Sequence, residues 1–308
     1  MARYVVTGGC GFIGSHVVEA ILARGDTAIA FDDLSSGRPE NLPAGTALIV
    51  GDVADPVAVG AAVAGVDGIF HLAGQVPTSS DAVAWRRNSL TNLTGTVTVL
   101  AAARDAGRIP VVFSSSAAVY GDSTLPPQSE TARPAPLTAY GIDKLASEMH
   151  VAIAGRLYRV PSFTFRLFNI YGPRQSASAP YSSAVAAFAE RMAGGQDVTI
   201  HGDGRQVRDF VFVTDAVEHL LAGLDAAHSS APLANLCTGT GTSIVQLAET
   251  MRTVTGFTGR IVHGPPRVAD IRESIGDPDF ARQRLGLTAG TDLSTGLSRL
   301  LNRASRAP

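Results

Sequence analysis

Lysine is almost missing from this chain. Of its 25 cationic side chains, 24 are arginine and one, Lys144, is lysine. On a solvated surface the two are near substitutes. A lone lysine therefore marks a place where a compact ammonium with three rotatable donors serves and a planar guanidinium does not. Cysteine is scarce too. Cys10 and Cys237 are far apart in sequence, which excludes a disulfide framework and a metal-ligand cluster, so no metal is expected and a reduced, cytoplasmic setting is. Excess charge is lacking. A net charge of −2 gives the chain as a whole no pull toward nucleic acid or acidic membranes. Long apolar runs are absent as well. Stretches such as Ile109–Phe113 fall far short of a membrane span, and no charged-then-apolar leader is read before the first strand at Tyr4. What remains is ordinary for a globular enzyme: 308 residues, 45% apolar and 17% charged, enough for one large domain or two coupled ones.

Short apolar segments alternate with helical ones. Residues 3–7 read as a buried strand and 27–31 as strand-like, followed by further short apolar runs at 47–50, 68–72, 110–113 and 162–167. A helical pattern runs through Phe12, Ile13, Val17, Val18, Ile21 and Leu22, and again over roughly 55–64, 80–106 and 138–155. This rhythm predicts an α/β fold of Rossmann type, a doubly wound parallel sheet with helices on both faces. From Asn169 the rhythm loosens, with Pro173, Pro180 and Gly194-Gly195 around a helix near 182–193. The expected organisation is a dinucleotide-binding domain over 1–168 and a smaller mixed α/β substrate domain over 169–308. Segments near 207–238 are expected to return to the first.

Gly8, Gly11 and Gly14 fall between the first strand and the first helix. Glycine there permits a tight turn and close backbone approach to a pyrophosphate resting on the helix N-terminus. Asp32 follows Gly14 by 18 residues, at the end of the next strand. An acid at that place accepts both ribose hydroxyls and repels a 2′-phosphate, which favours NAD over NADP, although Arg38 stands close enough to keep NADP open. Cys10 reads as a small packing residue. Gly202-Asp203-Gly204 and Gly239-Thr240-Gly241 lack the strand, helix and acid, and read as turns; the second precedes a helix capped by Ser243.

Lys144 lies four residues after Tyr140. On a helix the two share a face. An ammonium beside a phenol favours the phenolate and is expected to lower the Tyr140 pKa, which would make the tyrosine a general base near neutral pH.

Several ordered motifs carry a resemblance that extends to about residue 277. They are Thr7–Gly14, Asp32-Asp-Leu-Ser-Ser-Gly37, Gly51-Asp-Val53, His71-Leu-Ala-Gly74, Phe113–Gly121, Tyr140-x-x-x-Lys144, Arg166–Arg174, Gly202-Asp-Gly204 and Arg208-Asp-Phe210. The chain resembles the extended short-chain dehydrogenase/reductase family of sugar-nucleotide epimerases and dehydratases, and within it the 4-epimerase branch. The resemblance implies that Gly8, Gly11, Phe12, Ile13, Gly14, Asp32, Asp33, Ser36, Gly37, Leu72, Ala73, Gly74, Thr91, Ser114 and Phe168 contact NAD. Asp52 and Val53 would hold its adenine, and Lys144 its nicotinamide ribose. Ser116 and Tyr140 would bond the sugar 4-hydroxyl, and Asn169, Arg208 and Arg267 the diphosphate of a UDP-sugar. Members that dehydrate the sugar carry Asp-Glu where Ala117-Ala118 stand, and decarboxylases carry Glu in place of Ala118. Their absence points to oxidation and return at C4, that is, epimerisation of UDP-glucose or UDP-galactose.

Ser274 aligns where a large residue closes some sugar pockets, so 2-acetamido sugars are expected to fit as well. Of the serine run, Ser115 reads as a residue that satisfies backbone at a strand end. Leu167, Phe210, Ala269 and His201 depart from the usual residues and leave the sugar and nucleotide open. Competing readings are another NDP-sugar epimerase acting on a uronic acid or deoxysugar, a non-catalytic NAD-binding regulator, and a plain NADP-dependent reductase. The family further implies a homodimer through the helices near 80–106 and 138–155. Ala101, Ala102, Ala103, Ala146 and Ala152 would either meet the partner there or pack on the sheet.

Overall fold

In the computed structural model of this chain, residues 1–76, 82–122, 126–176, 183–266 and 271–304 are described. The first part runs β1 (Arg3–Thr7), α1 (Phe12–Ala23), β2 (Thr27–Asp32), β3 (Ala47–Val50), α2 (Pro56–Ala62), β4 (Gly68–His71), α3 (Ala82–Ser89), α4 (Gly95–Asp105), β5 (Val111–Ser116), α5 (Ala139–Tyr158) and β6 (Ser162–Leu167). The rest runs β7 (Asn169–Tyr171), α6 (Ala184–Ala193), β8 (Val198–His201), β9 (Val207–Phe212), α7 (Val213–Asp225), β10 (Leu233–Leu236), β11 (Gly241–Ser243), α8 (Ile244–Thr255), β12 (Ile261–Gly264), β13 (Glu273–Ser274), α9 (Asp279–Leu285) and α10 (Leu293–Ala304). Among the described residues no helix is long and apolar enough to cross a membrane.

Seven strands form one sheet in the order β3-β2-β1-β4-β5-β6-β10, with every neighbouring pair parallel. A parallel sheet is covered on both faces, and the strands show it. Val5, Ile29, Ile69, Val111 and Phe113 pack with Val99, Leu100 and Val151 on one face. Val6, Ala28, Phe70 and Val112 pack with Val17, Val18, Ile21 and Leu220 on the other. Full burial of each larger apolar side chain stabilises by roughly 1.5–3 kcal/mol. The chain winds outward from β1 to β3, then crosses back to β4. At such a reversal a crevice opens beyond the carboxyl ends of the strands.

β5 extends past the predicted end at Phe113. Ser114, Ser115 and Ser116 stay in register with Phe165, Arg166 and Leu167 of β6. The ladder continues where the apolar pattern stops, because these positions carry polar chemistry. The helix predicted over 80–106 is α3 and α4 joined by a π-turn at Leu90–Thr94. Such widened turns recur at functional sites.

β9 lies in a small sheet, antiparallel to β11 and parallel to β13 and β7. β8 and β12 form a separate parallel pair. A second core of Phe188, Ile200, Phe210, Phe212, Leu247, Met251 and Leu297 underlies this part. From β9 the chain returns through α7, whose Leu220 packs with α1, to β10 at the edge of the large sheet.

Candidate active site

The turn after β1 has no room for a side chain at its glycine positions 8 and 14. Gly8 is left-handed at φ 68°, and a Cβ there would lie 2.9 Å from the Ala73 amide nitrogen. A Cβ on Gly14 would meet the Gly8 carbonyl oxygen at 2.1 Å. α1 then begins at Phe12 with no side-chain cap and no acid in its first turn. Its leading amides are left to an external anion, as a dinucleotide-binding turn requires.

Asp32 is 7% exposed and fixed from both sides. Its Oδ2 accepts from the Cys10 amide and its Oδ1 from the Leu34 amide, both at 2.9 Å. Burial pushes its pKa up, and these two amides pull it down. Gly37 packs behind it; a Cβ there would lie 2.7 and 2.8 Å from the two carboxylate oxygens. A cavity of about 340 Å³ opens between these groups. Gly8, Gly11, Phe12, Ile13, Gly14, Asp32, Asp33, Ser36, Val53, Leu72, Ala73, Gly74, Thr91 and Ser114 line it, together with Phe31, Ser35 and Gly51, which the sequence reading missed. The sterically empty turn, the uncapped helix and the carboxylate fit NAD.

Four expected cofactor residues lie outside that lining, and Gly37 packs behind Asp32 as described. Asp52 accepts from the Ala54 amide at 2.9 Å in a local turn. Phe168 is buried beside Tyr120, with ring centroids 6.2 Å apart. Tyr140 and Lys144 are also outside the lining, but Lys144 reaches two residues that belong to it, Ser114 and Gly74. Lys144 Nζ donates to the carbonyl of Ser114 at 2.7 Å, and a Cβ on Gly74 would stand 3.3 Å from it.

α5 starts at a Thr138 cap, whose hydroxyl accepts from the Gly141 amide. It presents Tyr140 and Lys144 one turn apart. Ser116 ends β5, and its hydroxyl accepts from the Ala118 amide at 3.2 Å, capping the short turn 117–120. That turn is pressed onto the start of α5, since a Cβ on Gly141 would be 2.7 Å from the Ala118 carbonyl. Ser116 thus meets Tyr140.

The expected electrostatics differ here. Burial pushes the Tyr140 phenol up, and the hydrogen bond with Ser116 pulls it down. Burial, and not the ammonium, dominates the Tyr140 phenol. The ammonium stands 5.9 Å from the Tyr140 ring centroid and 5.0 Å from that of Phe113, and is aimed at the Ser114 carbonyl. Its own pKa is pushed down to about 8 by burial, against the pull of Glu148 and Asp143.

Ser115 is also not the backbone-satisfying residue expected. Its hydroxyl donates to Glu148 Oε1 at 2.5 Å. Arg166 Nε reaches the same oxygen at 2.9 Å and Arg166 Nη2 reaches Oε2 at 2.7 Å.

β9 organises the residues expected at the substrate. Asn169 pairs with Phe210, and Ser274 with Arg208. Arg208 Nη1 donates to the Val207 and Ile271 carbonyls at 2.8 and 2.7 Å. Arg267 and Ala269 lie outside the described residues.

Three buried polar residues were not foreseen. Asn92, in the π-turn, accepts from the Gln75 amide and donates to the Gln75 carbonyl, both at 2.8 Å, and so pins the cavity wall. His71 accepts from Thr7 Oγ1 at Nδ1 and donates from Nε2 to Thr96 Oγ1, whose own proton goes to the Asn92 carbonyl. Burial, then Lys144, pushes His71 down to about 3, so it is neutral and structural. Asp209 is fully buried and accepts from Thr238 N and Oγ1, Gly239 N and Gly276 N. The His71-Leu-Ala-Gly74 and Arg208-Asp-Phe210 motifs flagged two of these neighbourhoods; the partners are far away in sequence.

Comparison with known proteins agrees with this geometry. Residues 4–236 match the sequence profile of the NAD dependent epimerase/dehydratase family. A UDP-glucose 4-epimerase from Mycolicibacterium smegmatis is 34% identical over 306 residues, 96% of each chain. A UDP-N-acetyl-alpha-D-glucosaminuronate decarboxylase from Bacillus cytotoxicus is 31% identical over 85% of this chain and 83% of its own. The crystal structure of a UDP-glucose 4-epimerase from Thermotoga maritima, with UDP-glucose, superposes with a TM-score of 0.93 at 33% identity, covering 99% of both chains.

Proposed function

The chain belongs to the NAD dependent epimerase/dehydratase family, and on that premise we propose that it is a 4-epimerase of UDP-hexoses, acting on the pair UDP-glucose and UDP-galactose. The observation that carries this reading is the turn after Ser116. Ala117 and Ala118 occupy the segment that presses onto α5 next to Tyr140. Relatives that remove CO₂ or water need a further acid or base beside the tyrosine. Two methyl groups offer none, so the site is left with chemistry that one proton carrier can serve.

NAD, when bound, supplies a reversible two-electron acceptor for the C4–H bond of the sugar. Gly8, Gly14 and the first turn of α1 hold its diphosphate, and Asp32 its ribose hydroxyls. Tyr140 exchanges the proton of the sugar 4-hydroxyl. Ser116 bonds the same oxygen and, through its bond to Tyr140, favours the phenolate that burial opposes. Lys144 sets a cation behind the cavity wall, on the Ser114 carbonyl. Asn169, Arg208 and Arg267 hold the diphosphate of the substrate. Ser274, next to Arg208 in the sheet, leaves space for a 2-acetamido group, so UDP-GlcNAc and UDP-GalNAc are also substrates.

The test is product analysis with UDP-glucose, UDP-GlcNAc and UDP-glucuronate. Interconversion at C4 supports the reading; release of CO₂ from the uronate overturns it. Tyr140→Phe should keep NAD and lose activity at least ~100-fold, the scale of acid–base catalysis. Ser274→Tyr should selectively suppress the 2-acetamido pair.

The active species is a homodimer in this proposal. Ile142, Met149, Ile153 and Leu157 are exposed along one stripe of α5, with Ala146 on the same stripe, at three- and four-residue spacing. Such a stripe is covered by its own copy around a two-fold axis. Of the alanines expected there, Ala103 instead packs against the sheet and Ala152 is exposed. Met149→Asp should give a monomer in analytical ultracentrifugation. Both thiols are buried and unpaired, which suits a reducing cytoplasm.

A further inference from the structure

Tyr140, Lys144 and Glu148 recur every four residues and share one face of α5. Opposite them β5 offers Ser116, the Ser114 carbonyl and Ser115 in turn. We propose that Glu148 is a positioning residue for the Tyr140–Lys144 pair. Clamped by Arg166 and Ser115, it fixes the register of α5 against β5 and supplies the counter-charge of the only lysine. The inference rests on the reading of Tyr140 and Lys144 as the working pair.

Geometry carries the first half. Ser115 and Arg166 are register partners on adjacent parallel strands. Glu148 bridges both strands: Oε1 accepts from Ser115 Oγ and Arg166 Nε, and Oε2 from Arg166 Nη2. Arg166 is held in turn, with its guanidinium 4.7 Å from the Tyr120 ring centroid and Nη1 bonded to the Glu130 carbonyl. Glu148 and Arg166 are 8% and 4% exposed, so this clamp is insulated from water. A slide of α5 by one residue would break all three bonds to the carboxylate.

The second half follows from the charges that face Lys144. On α5 these are Glu148, Asp143 and the Tyr140 phenol. Asp143 is engaged by Ser89, whose hydroxyl lies 3.0 and 2.9 Å from its two oxygens. β4 presents His71, which is neutral. β5 presents the Ser114 carbonyl and the Phe113 ring. The π-turn presents the Asn92 amide, and β6 presents Arg166 behind Glu148. Burial works against the ammonium, and of the two anions that support it Glu148 is the stronger.

Because the chain has one lysine, isotopic labelling of lysine at Cε yields one resonance, that of Lys144. Its pH titration by NMR reads the ammonium directly in the folded holoenzyme, without turnover. The wild-type midpoint should fall near the pKa of about 8. In Glu148→Gln the midpoint should move down, weakening proton affinity roughly 3- to 10-fold. Glu148→Asp, which keeps the charge, should restore most of it. The alkaline limb of the rate profile should move with the midpoint. Should Glu148→Gln not fold because Arg166 is left unpaired, the double variant Glu148→Gln/Arg166→Met removes both charges; the nearer anion is the stronger influence, so a downward shift is still expected, smaller than in Glu148→Gln because a cation leaves with it.

An unchanged midpoint in the folded variant, with only a lower melting temperature, overturns the proposal. Failure of the epimerase reading is seen separately, as wild-type protein that turns over no UDP-sugar while the Lys144 midpoint still depends on Glu148.

Discussion

Replacing Lys144 by methionine should make the protein more stable and inactive. The ammonium is 3% exposed, and burial pushes its pKa from 10.5 to about 8. That weakening of proton affinity corresponds to a folding cost on the order of 3 kcal/mol when the group is charged. Methionine fills similar volume without charge. It gives up the bond to the Ser114 carbonyl, worth about 1 kcal/mol. The net gain is about 2 kcal/mol. For a chain of this length that is a rise of roughly 3 °C in melting temperature.

The sign depends on pH. The unfolded chain holds the proton up to 10.5 and the folded chain only up to about 8. Below pH 8 both forms are charged, and the wild type bears the whole penalty. Between 8 and 10.5 the unfolded state binds more protons, so wild-type stability rises with pH relative to the variant. Above 10.5 the penalty is gone. The assay is calorimetric melting of both proteins, stripped of nucleotide, from pH 7 to pH 10. A variant that melts below the wild type at pH 7, or a difference that is flat across this range, would refute the reasoning. Loss of turnover alongside the gain in stability would place the lysine among residues kept for activity at the expense of the fold.

Gly14→Ala should abolish NAD retention, because the added methyl group meets the Gly8 carbonyl at 2.1 Å and the backbone must shift; overpacking of this kind destabilises by roughly 1–3 kcal/mol. Measurement of nucleotide released on denaturation checks it. Asp209→Ala strands three amides and a hydroxyl in the interior, and at about 1 kcal/mol or more for each should destabilise by at least ~3 kcal/mol in urea unfolding. Since Arg208 is its chain neighbour, UDP-sugar affinity should fall further than NAD affinity, read by calorimetric titration of each.

The elements that the sequence declared were those whose signal is local. β1, its glycine turn and α1 follow one another directly, and the turn is recognisable because glycine is required where a Cβ would collide. Asp32 was legible for the same reason, as the end of the next strand. Lys144 was conspicuous by rarity alone. The strand end at Ser114–Ser116 was cut short because polar residues interrupt an apolar pattern even when the ladder continues. The break in the long helix at Leu90–Thr94 left no compositional mark.

Chain order and residue type thus determine the doubly wound sheet and the glycine turn of the cofactor cradle, and single out Ser116, Tyr140 and Lys144 as candidates, because each is encoded within a few consecutive positions. What the tertiary structure alone decided is how those groups are charged and held. Lys144 donates to a carbonyl and lies over the Phe113 ring, and burial is the largest influence on the tyrosine's acidity. Glu148 meets Ser115 and Arg166 across separations of 33 and 18 residues. Solvation and long-range pairing depend on which segments pack together, and no window of sequence contains that information.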